Sequence, residues 1–231
     1  MCFAHAGGSA AAFRALPGLL PDDVQLLAVQ YPGRQDRYTE PCMGSMEAMA
    51  DAVTAALAPF LDRPMAFFGH SLGAAVAYEA ALRLERAHGT VLAHLFVSGR
   101  SAPSRSRTSR ELHRLDDDEL LAELSSLGGM APEVLADPGL GSVVLPALRA
   151  DVRIAETYRA EPGCRTGAPV TAYHGESDTG VEEADARAWS AHTTADFAFR
   201  SFAGGHFYLN HRTPELVADM TARLEHVGRT A

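Results

Sequence analysis

Two rhythms of apolar residues alternate along this chain. Short unbroken runs of strand length give way to longer stretches in which every third or fourth position is apolar, the period of a helix with one buried face. The runs are Met65 to Phe68, Leu92 to Ser98 and Pro169 to His174, with Cys2-Phe3-Ala4 reading as the end of another, and Asp196 to Phe202 alternates as a last strand. Val24 to Gln30 is expected to be a further strand, closed by Tyr31-Pro32-Gly33-Arg34, where proline and glycine stop regular structure. Among the helical stretches, Ser45 is placed to cap one running to about Leu61, with Met46, Met49, Val53, Ala56, Leu57 and Phe60 on its inner stripe. An alanine-rich helix follows residue 71, thin-walled through Ala74, Ala75, Ala77, Ala80 and Ala81. Ala10 to Leu20 is amphipathic, Glu182 to His192 reads as helical, and Pro214 to about His226 turns Leu216, Val217, Met220 and Leu224 toward the sheet. Strands and helices in alternation predict an α/β fold: a mainly parallel central sheet flanked by helices, in one domain over residues 1–231.

One interval breaks the rhythm. A crossover between neighbouring parallel strands needs only about a dozen residues, and the stretch between the runs ending at Ser98 and starting at Pro169 is far longer. Residues 100–168 are therefore read as a helical lid inserted within the domain. Asp116 with Glu119 starts a helix carrying Leu120, Leu121, Leu124 and Leu127, Gly128-Gly129 ends it, and Leu140 to Tyr158 supplies another with Pro146 as a kink or break. Arg100, Arg105, Arg107 and Arg110 sit in a Ser/Pro-rich loop ahead of it, a solvated loop by default and a contact for an acidic or phosphate-bearing partner if there is one.

Composition narrows the function classes. With 231 residues, 47% of them hydrophobic, the chain can bury a substantial core. A net charge of -9 and a pI near 5.5 speak against nucleic acid and against anionic membranes. No apolar run reaches transmembrane length, and Met1-Cys2-Phe3-Ala4 has no signal-peptide character; the chain opens almost inside a strand, as if a few residues were missing before it. Cys2, Cys42 and Cys164 form neither a CxxC pair nor a metal-ligand spacing, which suits a reducing cytoplasm, and Asp116-Asp117-Asp118 is explained by the start of a helix. No metal or cofactor site is read, and a monomer is expected.

Gly69-His70-Ser71-Leu72-Gly73 supplies the candidate chemistry. It falls where an apolar strand turns into a helix, the setting in which a strained turn lifts a serine hydroxyl clear of the sheet. Ser71 is the candidate nucleophile, with an ordinary helix N-cap as its plainer reading. In such folds the partners follow in the order Ser, acid, His. Asp178, just past the strand ending in Gly175, is the candidate acid, and Glu176 is the runner-up. Of His192, His206, His211 and His226 downstream, His206 sits on a glycine turn at a strand end and is the candidate base. An oxyanion would be held by the backbone N–H of Leu72 and a second from the early His5-Ala6-Gly7-Gly8 loop. His5 is read as fixing that loop.

Taken with Cys2-Phe3-Ala4-His5-Ala6-Gly7-Gly8-Ser9-Ala10, Tyr31-Pro32-Gly33-Arg34, Gly69-His70-Ser71-Leu72-Gly73-Ala74 and Gly205-His206-Phe207, nearly the whole sequence resembles the type II thioesterases of polyketide and nonribosomal peptide assembly lines. That family usually has proline where Ala4 stands and methionine where Leu72 stands. The resemblance implies an α/β-hydrolase fold, assigns the second oxyanion N–H to Ala6, and implies hydrolysis of an acyl thioester from the phosphopantetheine arm of an acyl or peptidyl carrier protein, clearing stalled or wrongly primed units. A carboxylesterase of the same fold, a transferase or cyclase in which another nucleophile replaces water, and a carrier-binding module without chemistry remain the alternatives.

Overall fold

Five parallel strands lie side by side in the order in which they occur, each carrying its side chains alternately to one face and the other. They are β1 (Cys2–Phe3), β2 (Ala66–His70), β3 (His94–Ser98), β4 (Val170–Gly175) and β5 (Phe197–Phe202). The computed structural model describes residues 1–105, 110–129 and 137–228. Arg107 and part of the 100–168 insertion fall outside them. Parallel neighbours require crossovers, and helices supply these: α1 (Met46–Leu57), α2 (Leu72–His88), α3 (Asp117–Ser126), α4 (Pro138–Thr157), α5 (Glu183–Arg187) and α6 (Leu209–Gly228).

The register explains why the strands are so apolar. Phe67 faces Leu95 and Gly69 faces Val97, while Phe96 pairs with Thr171 and Ser98 with Tyr173 on the opposite side. One face lies under α2, whose buried Ala74, Ala77 and Ala81 allow it to come close. The other lies under α6, where Asp219 accepts from the Tyr173 hydroxyl at 2.7 Å and from Arg200 at 2.7 Å. Both faces are covered, so nearly every position of β1 to β4 is buried, while the edge strand β5 is half-buried except at Phe202. Phe3, Phe67, Leu72, Leu95 and Trp189 belong to one continuous apolar core, each no more than 1% exposed.

Several expectations are corrected. Val24 to Gln30 is not a strand: the segment runs beside β1 but makes only an isolated bridge, Cys2 to Ala28, because a two-residue β1 offers no longer ladder. Ala10 to Leu20 forms two short 3-10 turns, Ala10–Phe13 and Pro17–Leu19, interrupted where Pro17 cannot continue a hydrogen-bonded helix. α1 stops at Leu57 and tightens into a 3-10 turn ahead of Leu61; its buried stripe includes Ala50, while Ala56 is exposed. Pro146 lies inside a continuous α4. Two helical segments meet at a kink in α6, where Arg212 is non-helical, so the expected helix from about Pro214 stands and a short helical turn from Leu209 precedes it. The two helix starts read from Ser45 and Asp116 stand as expected, each side chain accepting the N–H three residues on, from Ala48 at 3.2 Å and Glu119 at 2.9 Å. The three cysteines are free thiols. Among the described residues, no helix is long and apolar enough to cross a membrane.

Candidate active site

Ser71, Asp178 and His206 follow the carboxyl ends of β2, β4 and β5 on one edge of the sheet. Ser71 occupies the junction between β2 and α2 with φ 54° and ψ -116°, a conformation that L side chains avoid. The turn holds it because its N–H is tied to the Ser98 carbonyl at 2.8 Å. Tight packing on either side requires the flanking glycines. A Cβ on Gly69 would run into the backbone of Gly73, and one on Gly73 into the carbonyl of Phe3. As the first helical residue, Leu72 has no intrahelical acceptor for its N–H.

Asp178 and His206 are brought together directly. The His206 Nδ1 donates to Asp178 Oδ2 at 2.8 Å, and the two side chains are 8% and 0% exposed. The other carboxylate oxygen accepts from Gly180 N–H at 2.7 Å and Val181 N–H at 3.2 Å, fixing the acid on its turn. Burial alone would raise the Asp178 carboxyl, but the hydrogen bond and charge of His206, with the Gly180 N–H, hold it below its ordinary value. Using Nδ1 in this way leaves Nε2 as the nitrogen for proton transfer. The runner-up Glu176 is exposed and accepts from Ser201 at 3.4 Å. His211 is exposed at the start of α6, and His192 is engaged by Tyr78 and Ser104.

Ser71 is tied to this pair through its neighbours. The His70 ring lies 5.1 Å from that of His206, and a Cβ on Gly99, next to the Ser98 that anchors Ser71, would sit 3.3 Å from His206 Cε1. Among the described residues the Ser71 hydroxyl and His206 share no hydrogen bond, and a nucleophile–base contact is often loose before substrate binds.

Other members of the site had drawn no attention in the sequence. His70 Nδ1 bonds Ser98 Oγ at 2.9 Å, and Ser98 Oγ bonds the Tyr208 hydroxyl at 2.7 Å, a buried chain beneath the base. Burial, then the like charges of His206 and His5, hold His70 well below its ordinary pKa, so it stays neutral; His5 is likewise lowered, to about 4. Phe207 packs edge-on against His5, with ring centroids 4.8 Å apart, and against His70 and His206. His5 thus does brace its loop, through Phe207. A second unforeseen element is a buried ion pair between Arg34 and Asp151, at 2.5 Å. Its signal was present: Ala147, Asp151, Ile154 and Tyr158 follow helical spacing, so the aspartate stands in a core position. Of the basic loop, Arg100 donates to the Ala155 carbonyl and Arg110 pairs with Glu123, which occupies both with the chain itself.

Comparison with known proteins agrees with this arrangement. Residues 1–224 match the family model described as thioesterase domain. The chain is 44% identical to thioesterase PikA5 of Streptomyces venezuelae over 97% of its own length and 80% of that protein's. It is 42% identical to a probable cadicidin biosynthesis thioesterase of Streptomyces griseus, covering all of this chain but only 63% of the relative. Among solved structures, the type II thioesterase BorB from the borrelidin biosynthetic cluster superposes with a TM-score of 0.90 at 43% identity, over 96% of this chain and 91% of that one. A parallel sheet with a serine on its strand-to-helix turn, matched over nearly its whole length by such relatives, makes this chain a member of the thioesterase family: an α/β-hydrolase of the type II thioesterases of polyketide and nonribosomal peptide biosynthesis.

Proposed function

We propose that this thioesterase removes acyl groups from the phosphopantetheine arm of acyl or peptidyl carrier proteins through a Ser71–His206–Asp178 triad. The observation that carries the reading is the strained Ser71 turn, held at the strand ends where Asp178 fixes the imidazole of His206. His206 Nε2 takes the proton from Ser71 Oγ as that oxygen attacks the thioester carbonyl. The N–H groups of Leu72 and Ala6 hold the oxyanion. Collapse of the tetrahedral intermediate breaks the C–S bond, and His206 returns the proton to the departing thiolate. Water then attacks the acyl-serine with His206 as base, and the free acid leaves. A thiolate is a better leaving group than an amine, so protonation at sulfur needs little assistance.

Residues 100–168 act as the lid of this domain. The segment just after α3 reaches the neighbourhood of His206, since the Phe207 ring lies against the backbone of Gly129, and Leu127 lies close to Gly180 beside His206. Leu120, Leu148 and Val152 of α3 and α4 form a separate apolar cluster against which Ala6 packs, so an acyl chain entering here meets hydrocarbon. The pathway context of the relatives, the borrelidin cluster of BorB among them, supports a carrier-bound substrate. Intact-mass spectrometry of a panel of acyl-loaded carrier proteins tests it. Wild type should return the free phosphopantetheine thiol and Ser71→Ala should leave the acyl mass in place. Hydrolysis of free esters with no loss of acyl mass from any carrier would reject the substrate assignment, and a cyclic or esterified product would move the reaction to acyl transfer.

A further inference from the structure

The early loop is a turn whose polar groups are held by the lid. The Gly8 N–H donates to the His5 carbonyl at 2.9 Å, and Gly7 has φ 74°, so His5-Ala6-Gly7-Gly8 is a type II turn with glycine at the position that needs a positive φ. That bond fixes the His5–Ala6 peptide, and with it the direction of the Ala6 N–H. The next peptide is held from outside: the Gly7 N–H donates to Asp151 Oδ2 at 2.8 Å, and Asp151 belongs to α4. Arg34 completes the clamp. Its two terminal nitrogens meet Asp151 Oδ2 at 2.5 Å and Oδ1 at 3.0 Å, and one of them also donates to the Gly8 carbonyl at 3.0 Å. Arg34 is itself fixed by its Nε donating to the Pro32 carbonyl at 3.2 Å.

This bond pattern exceeds what a buried ion pair needs for its own neutrality. Asp151 is 1% exposed and Arg34 7%, so each charge depends on the other, and each also holds one polar group of the turn. Apolar packing follows the same path. A Cβ on Gly7 would lie 2.7 Å from Leu148 Cδ1, one turn of α4 before Asp151. Resting on the reading of Ala6 N–H as an oxyanion donor, we propose that Asp151 and Arg34 are positioning residues for that donor, setting the His5–Gly8 turn from the lid helix. The donor peptide and α4 then keep one relative placement, and displacement of α4 costs transition-state stabilisation before it costs substrate binding.

The test uses an acyl N-acetylcysteamine thioester with wild type, Ser71→Ala, Asp151→Asn and Arg34→Lys, all assayed well below their unfolding temperatures. Each clamp variant should lower kcat by roughly ten- to a hundredfold with KM within about twofold, because the lost interaction exists only in the transition state. The inhibition constant of an alkylboronic acid, whose serine adduct places an oxygen at the oxyanion position, should rise by a similar factor. Folded variants with kcat within about threefold of wild type overturn the proposal, as does a fall in kcat without weaker boronate binding. If Asp151→Asn does not fold, Arg34→Lys decides. If neither folds, amide exchange of Gly7 in the wild type decides, and rapid exchange rejects the clamp. Turnover no faster in wild type than in Ser71→Ala rejects the triad reading itself; turnover lost in Ser71→Ala and retained in both clamp variants rejects only the clamp.

Discussion

At the scale of single residues, the proposed chemistry depends on the Ser71 hydroxyl and the His206 imidazole. Ser71→Ala should lower thioester hydrolysis by at least about a thousandfold while leaving the fold intact, measured by thiol release alongside circular dichroism. Asp178→Asn should retain the hydrogen-bonding shape but present the wrong group to His206 Nδ1, with a loss on the order of a hundredfold or more in kcat and little change in KM. Beneath the base, Tyr208→Phe removes the hydroxyl bonded to Ser98. Loss of that bond should cost about 1 kcal/mol in urea unfolding. Ser71, Asp178 and His206 could be named as candidates from the sequence because each stands at a turn flanked by glycine after an apolar run. His70, Ser98 and Tyr208 could not, since their roles depend on which strand ends meet. Asp151 was legible only as an acid in the wrong place, on the buried side of a helix, with nothing in the sequence to identify Arg34 as its partner.

At the scale of elements, the sequence was informative where a side chain closes its own helix and silent where pairing depends on a distant segment. Ser45 and Asp116 cap locally, so the starts of their helices were placed correctly. Val24 to Gln30 has the composition of a strand, but its only neighbour in the sheet is two residues long, and no local pattern reports that. The strand-to-helix turn holds Ser71 at φ 54° and ψ -116°, a strained conformation for a residue other than glycine. Gly69→Ala should lower stability by more than about 2 kcal/mol in urea unfolding, since the added methyl meets the backbone of Gly73 rather than a side chain able to swing away. Reaction of Ser71 with a fluorophosphonate should slow in the same variant even where it remains folded. Normal stability with normal labelling would show that the turn can relax.

At the scale of the whole molecule, buried histidines tie stability to pH. His5 and His94 are held to about 4, each chiefly by burial, and His70 lies well below its ordinary value of 6.5. Between pH 6.5 and 4 the unfolded chain therefore binds protons that the native protein does not, so stability is present at neutral pH and falls as pH falls through that window. Each histidine kept fully neutral contributes a slope of about 1.4 kcal/mol per pH unit. Urea midpoints measured from pH 7 to pH 4.5 should drop steadily, and His94→Phe, which keeps a ring stacked on Phe96, should flatten the curve. A flat wild-type profile would place these imidazoles in contact with water. One ring joins the scales. Phe207 follows His206 in the chain and touches His5, His70 and the backbone of Gly129, three residues past the end of α3. On the proposed reading, the cover cannot lift there without loosening the imidazole's seat, so an unlatched enzyme idles and cargo passing outside is spared.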